Sequence, residues 1–271
     1  MLITMGPHQF EVDPETDRYS RDESASVKPR FWSQVASGAW ETDFVERYRR
    51  SLARDGVVID VGAWIGPYAL LAVAAGRKTI AVEPDPNALE KLLRNRAKLR
   101  DPSRLTAVCA AIWPRREWVE LHAKEFGDSE TSIAARRERR GKLVTVTQSF
   151  FAPGAPLEDV EALINGEGIS LLKVDMEGAE YENLPSLLDL VIRHRCDFLI
   201  SFHPENLVGL GVDVADVGAR IRKFIAAIGN VAKVEMKISE WQSADALAAI
   251  EDDARLGASL KALHVGWLAP V

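Results

Sequence analysis

The chain has 271 residues, 47% of them hydrophobic and 27% charged, with 34 Lys+Arg against 40 Asp+Glu for a formal net charge of −6. Seven Trp and nine Phe exclude a mainly disordered chain, and a pI near 5.5 argues against the clustered basic surface that sequence-independent nucleic-acid binding needs. Cys109 and Cys196 cannot build a disulfide framework; both stand in apolar runs, which predicts buried thiols in a reducing compartment. The segment Met1-Leu-Ile-Thr-Met-Gly-Pro7 has no basic stretch followed by a long apolar one. The longest apolar run, Ala69 to Ala75, falls far short of the roughly 20 residues of a membrane span. A cytoplasmic protein without a membrane partner is expected, and its oligomeric state is not legible.

Residues 1–37 read as a loosely patterned preamble of turn formers and charges, among them Asp13-Pro14, Asp17, Asp22-Glu23 and Lys28-Pro29. Phe44, Val45, Tyr48 and Leu52 then recur at helical spacing across Thr42 to Arg54. The β-branched run Val57-Val58-Ile59-Asp60-Val61 predicts a strand buried on both faces. Pro67 suits the first position of the apolar helix that follows, and Gly76 suits its C-terminal end. A second strand, Thr79 to Glu83, leads into Pro84-Asp85-Pro86, where Asp85 can cap and Pro86 open a helix running to about Leu99.

Leu105 to Ala110 predicts a third strand, and Glu117 to Val146 reads as strand, polar loop, strand. Pro156 to Asn165 is predicted helical, Ile169 to Asp175 a fourth strand, Tyr181 to His194 a helix and Asp197 to Phe202 a fifth strand. A helix over Val214 to Ile228 precedes a tail of strand (Val231 to Ile238), helix (Ala244 to Ala254) and strand (Leu260 to Leu268). Such alternation implies one doubly wound, mostly parallel sheet.

In an open parallel sheet, ligands bind beyond the carboxyl ends of the strands. The residues there are Asp60 and Gly62 after the first strand, Glu83 after the second, Asp175 and Glu177 after the fourth, and His203 after the fifth. Gly62 lets backbone approach a ligand, and the helix behind the loop Asp60-Val-Gly-Ala-Trp-Ile-Gly66 offers free N–H groups to an anion. This is not the Gly-x-Gly-x-x-Gly dinucleotide fingerprint. Glu83, 23 residues beyond Asp60, is placed to accept both hydroxyls of a ribose, as dinucleotide enzymes also do. Lys173 inside an otherwise apolar strand either snorkels or pairs with a carboxylate.

These residues resemble the FkbM-type S-adenosylmethionine-dependent methyltransferase family. The matching stretches are Gly38-Ala-Trp-Glu41, Val58-Ile-Asp-Val-Gly-Ala-Trp-Ile-Gly-Pro67, Ala81-Val-Glu-Pro-Asp-Pro86, Leu172-Lys-Val-Asp-Met-Glu-Gly-Ala-Glu180 and Phe198-Leu-Ile-Ser-Phe-His-Pro204. The resemblance implies an α/β class I methyltransferase fold, with a Rossmann-like seven-stranded sheet and one antiparallel strand near the C-terminus. The chain is expected to divide into an N-terminal extension over residues 1–40, a candidate cover for the active site, and a catalytic domain over residues 41–271. The resemblance also implies S-adenosylmethionine as cofactor, with Asp60, Gly62 and Gly66 around its methionine part, Glu83 at its ribose, and Glu41, Ala63, Pro84, Ala111 and Asp175 completing the binding set. Trp64 is a departure, since many methyltransferases carry a further Gly there.

The expected reaction is O-methylation of a small-molecule hydroxyl, on a sugar, polyketide or other secondary metabolite, with His203, Asp175 and Glu177 as catalytic residues. His203 is the candidate general base, expected to titrate near pH 6–7, and Asp175 either orients the acceptor or stabilises the imidazolium. Asp175, Glu177 and His203 are also potential Mg²⁺ ligands, but no compact ligand motif stands in the sequence and no metal is expected. Residues 1–40, 126–140 and 206–212 are candidates for shaping the acceptor pocket, and Arg136 to Arg140 reads as a solvated face. The alternatives are a nicotinamide-dependent oxidoreductase, disfavoured by the missing third glycine, and a non-catalytic binding protein on the same fold.

Overall fold

The computed structural model describes residues 1–17, 31–139, 142–206, 210–243, 250 and 252–267. The buried runs become the strands of an eight-stranded sheet: β3 (Val57–Val61), β4 (Thr79–Val82), β5 (Leu105–Val108), β11 (Ile169–Val174), β12 (Asp197–Ser201), β13 (Ala232–Lys237), β14 (Trp241–Ser243) and β15 (Ala262–Trp267). Their order is β14-β13-β15-β12-β11-β3-β4-β5. Strands β5, β4, β3, β11 and β12 are parallel, and β15 inserts antiparallel between β12 and β13. This is the expected seven-stranded arrangement, with the three-residue β14 added at one edge.

The strand pleat sends alternate residues to opposite faces. Val57, Ile59 and Val61 of β3, with Leu172 and Val174 of β11, face one hydrophobic layer, which the helices Glu180–His194 and Val214–Ile228 cover. Val58 and Leu171 face the other, covered by α2 (Thr42–Ser51), α3 (Pro67–Ala74) and the N-terminal segment. Helix α4 (Pro86–Arg96) follows β4, and Asp85 caps it by accepting hydrogen bonds from the Asn87 and Ala88 amides. After β3 the chain winds outward to β4 and β5, then returns to add β11 on the other side of β3. That reversal opens a crevice beyond the carboxyl ends of β3 and β11.

Several expectations need correction. The N-terminal preamble is not loosely patterned: Leu2–Met5 (β1) and His8–Glu11 (β2) form an antiparallel hairpin through Gly6, whose φ is +62°. Its inward residues Ile3, Met5 and Phe10 join Trp32 and Val35 of α1 (Phe31–Ala36) in the core. Residues 18–30, including Asp22-Glu23 and Lys28-Pro29, lie outside the described residues. Ala111–Ile112 (β6), Trp118–Ala123 (β7) and Gln148–Ala155 (β10) build a separate three-stranded sheet in the order β6-β10-β7. β10 escaped the sequence reading because its register partners lie 25 to 43 residues away, a long-range pairing that no local period announces.

Arg136–Arg139 (β8) pairs with Lys142–Thr145 (β9) as a hairpin; Arg136 is exposed, while Arg140 lies outside the described residues. The helix expected over Ala244 to Ala254 falls mostly outside them too, and the described helix is Asp253–Ser259, capped by Asp252. Cys109 is exposed and only Cys196 is buried, because β5 ends at Val108 on the sheet edge. None of the described helices is long and apolar enough to cross a membrane.

Candidate active site

The loop after β3 carries the closest backbone approach in the crevice. Gly62 has φ +72°, and a Cβ built on it would lie 1.6 Å from the carbonyl oxygen of Asp175. Only glycine lets the ends of β3 and β11 meet so closely. Gly66, also at positive φ, caps α3 one turn later.

At the end of β4, Glu83 is almost fully buried. Its Oε2 accepts the Trp64 amide at 2.7 Å and its Oε1 the Asp85 amide at 2.8 Å. Each oxygen keeps lone-pair capacity for a further donor. Burial pushes its pKa up to about 7, against the two amides, which favour the ionised form. The indole of Trp64, set at φ +48°, donates to the Gly127 carbonyl at 3.0 Å, and the Gly127 amide donates to Asp85 Oδ2 at 2.6 Å. Trp64 thus latches the segment around Gly127 over the loop.

Lys173 and Asp60 are direct partners in the β11–β3 register, so alternation puts both side chains on the same face, side by side. Lys173 Nζ lies 3.2 Å from Asp60 Oδ1 and 3.8 Å from Asp175 Oδ2, and it donates to the Gly62 carbonyl at 3.0 Å. Burial opposes the lysine's charge, but Asp60, Asp175 and Glu41 outweigh it and hold its pKa above the ordinary lysine value. Burial raises the Asp60 carboxyl, with Lys173 working against that shift. The pairing alternative for Lys173 is the one realised.

Asp175, Glu177 and His203 converge where β11 and β12 end. The ring Nδ1 and backbone amide of His203 both lie 2.9 Å from Glu180 Oε1, while Glu180 Oε2 accepts the Gly178 amide at 2.8 Å. Glu180 has no exposed surface. On its other side, His203 Nε2 is 3.3 Å from Asp175 Oδ1 and 3.4 Å from Glu177 Oε1. Burial disfavours the imidazolium, but Glu180, Glu177 and Asp175 outweigh it and hold the His203 pKa well above the usual imidazole value. Burial pushes Glu177 up to about 8, with the His203 charge opposing and Asp175 reinforcing the shift. The acidic groups around the ring thus move the His203 titration above the expected range of pH 6–7.

A cavity of about 420 Å³ opens onto these elements. Of the residues singled out in the sequence, Glu41, Gly62, Ala63, Glu83, Pro84, Ala111, Asp175 and Glu177 line it. Glu41 is exposed as a residue, yet its carboxylate accepts the Tyr68 hydroxyl at 2.6 Å; loss of solvent there, then the charge of Asp175, raises its pKa. Asp60 and Gly66 do not line the cavity: Asp60 lies fully buried beneath the loop against Lys173, and Gly66 acts through the turn. His203 stands behind Asp175 and Glu177 rather than on the wall. Sequence reasoning gave no role to Glu180 or Tyr68. For Glu180 a signal existed, a carboxylate closing the stretch Asp175-Met-Glu-Gly-Ala-Glu180 at a helix start. Phe31, Gln34 and Trp40 line one wall, and Asp128, Ser129, Glu130 and Thr131 another.

The family model of the methyltransferase FkbM domain matches residues 60–232, more than half of the chain. None of the curated proteins matches the sequence. Among solved structures, the chain is similar to methyltransferase FkbM from Methylobacillus flagellatus KT, at 17% identity and a TM-score of 0.43 over 78% of this chain. It spans only 43% of that protein. A SAM-dependent methyltransferase from Agrobacterium tumefaciens aligns at 12% identity and a TM-score of 0.44, over 98% of this chain and 69% of that one. An O-methyltransferase from Bacillus cereus, solved with SAH, aligns at 8% identity and a TM-score of 0.44, over 91% and 84%. TM-scores this low carry no weight; the fold rests on the strand order and the family match.

Proposed function

The chain belongs to the FkbM methyltransferase domain family, with a methyltransferase domain whose cofactor is S-adenosylmethionine, and we propose that it methylates a hydroxyl oxygen of a small-molecule acceptor. The observation that carries this reading is the carboxylate pair Asp175 and Glu177, backed by His203, on the cavity wall next to the glycine turn. A hydroxyl must shed a proton as it is methylated, and it needs an acceptor group within hydrogen-bond reach.

The residues fit the cofactor. Gly62 leaves the wall free of a side chain, Glu83 retains lone pairs for ribose hydroxyls, and Ala63, Pro84 and Ala111 give an apolar lining. When bound, S-adenosylmethionine supplies a methyl group already activated on sulfur. Glu83 and the Gly62 turn orient the cofactor, and Lys173 holds the strand ends together by tying Asp60, the Gly62 carbonyl and Asp175. Asp175 receives the proton of the acceptor hydroxyl, and Glu177 beside it helps to orient that hydroxyl. His203, fixed by Glu180, is a positioning residue behind them, and alignment does the remaining work.

Phe31, Gln34 and Trp40 on the wall support the proposal that residues 1–40 cover the site. The chain's acidic pI supports a small-molecule acceptor rather than a nucleic acid, and its two free thiols suit a cytoplasmic setting. The test is methyl transfer from S-adenosylmethionine to a panel of hydroxylated acceptors, with the new methyl located by NMR. A methyl found on nitrogen or carbon would contradict the reading, and so would formation of S-adenosylhomocysteine without a methylated oxygen.

A further inference from the structure

The spacing on the two sides of His203 differs. At Nδ1 the contact with Glu180 Oε1 is 2.9 Å, an ordinary charge-assisted hydrogen bond. At Nε2 the two carboxylate oxygens stand at 3.3 and 3.4 Å, too far for such bonds, and neither contact has hydrogen-bond geometry among the described residues. Ligand atoms at neighbouring corners of an octahedron with bonds of about 2.1 Å are roughly 3.0 Å apart. The three ligand atoms all lie within 4.8 Å of one another. A buried carboxylate behind the far ring nitrogen is the arrangement that fixes tautomer and direction in a metal-ligating histidine.

An independent observation comes from Asn206. Its side chain is fully buried and aimed at Glu177: Nδ2 donates to the Glu177 carbonyl at 2.8 Å and lies 3.5 Å from Oε2. Its Oδ1 has no partner among the described residues. A buried amide oxygen without a donor is costly, and this one belongs to the side chain whose nitrogen holds Glu177. Charge points the same way, since Asp175, Glu177 and Glu180 set three carboxylates around one imidazole. The sequence offers these three as potential ligands but no compact motif, because His203 lies 26 positions beyond Glu177.

We propose that Asp175, Glu177 and His203 Nε2 form a divalent-cation site at the cavity wall, with Glu180 orienting the histidine and Asn206 holding Glu177. One imidazole and two carboxylates suit a hard-to-borderline ion, Mn²⁺ foremost. Three protein ligands leave coordination positions for water and for the acceptor hydroxyl oxygen. The inference deepens the proposed O-methylation but is tested apart from it.

The test titrates Mn²⁺ into the metal-stripped full chain and follows the free-ion EPR signal. One saturable site per chain is expected, weakened at least about tenfold by Glu180→Gln, the scale for orienting partners, and further by Asp175→Asn, Glu177→Gln or His203→Ala. Circular dichroism and thermal unfolding report whether each variant is folded, and Glu177→Gln, isosteric and held only by long side-chain contacts, is the variant of first recourse. Absence of stoichiometric Mn²⁺ binding overturns the proposal. Binding that persists within about twofold in folded Glu177→Gln and His203→Ala also overturns it, by placing the ion elsewhere. Loss of S-adenosylhomocysteine binding in the parent would instead strike at the cofactor reading.

Discussion

Replacing Glu83 with Gln removes a charge while keeping its shape. In the parent both carboxylate oxygens accept backbone amides, from Trp64 and Asp85. Gln has one acceptor oxygen and one NH2, so one amide loses its partner, which costs about 1–3 kcal/mol of stability. The ribose hydroxyls would lose hydrogen bonds to a charged group, about 1.5–3 kcal/mol, or roughly 10- to 150-fold in S-adenosylhomocysteine affinity at pH 8. The pH dependence is more diagnostic.

Glu83's pKa is raised by burial to about 7 in the folded, ligand-free protein, from 4.5. A carboxyl so raised contributes stability that is fully present below pH 4.5 and lost as pH rises through about 7, on the order of 3 kcal/mol in all. Ribose hydroxyls donate to the ionised form, so parent affinity should rise about tenfold between pH 6 and 8, as the ionised fraction grows from about a tenth to nine tenths. Calorimetric titrations of parent and Glu83→Gln at both pH values read this directly. Affinity in the parent that is flat with pH, and matched within twofold by Glu83→Gln, would refute the ribose assignment.

Three further outcomes are expected. Lys173→Met should destabilise the chain by about 3–5 kcal/mol in denaturant unfolding, because it strands a buried carboxylate, and adding Asp60→Asn should recover much of that loss. Gly62→Ala should abolish cofactor binding and lower Tm, since the new Cβ would fall 1.6 Å from the Asp175 carbonyl oxygen; an unchanged Tm would show that the turn relaxes freely. His203→Ala should lower kcat by on the order of 10², through lost alignment of Asp175 and Glu177, while S-adenosylhomocysteine still binds, and near-normal kcat would reduce the histidine to a packing role.

Much of the sheet was legible because buried parallel strands leave unbroken β-branched runs, as in Val57–Val61 and Ile169–Val174. Pro86 and Asp85 marked the start of α4 through local capping chemistry. The acids at the strand ends were legible for the same reason: topology alone sends them to one edge. Contacts across strands were not. Asp60 reads as a ligand-facing acid until the β11 register sets Lys173 beside it. Glu180 reads as an ordinary first-turn acid of a helix until the end of β12 brings His203 onto its carboxylate. The N-terminal hairpin was missed although Ile3, Met5 and Phe10 alternate with outward residues, because four-residue strands give too short a period to stand out.

The most direct measurement of the central claim is calorimetric titration of the parent chain with S-adenosylhomocysteine and, separately, with NAD⁺. One saturable S-adenosylhomocysteine site per chain, lost in Gly62→Ala, with no comparable binding of NAD⁺, is the predicted result. Saturable NAD⁺ binding without S-adenosylhomocysteine binding would contradict the account at its base.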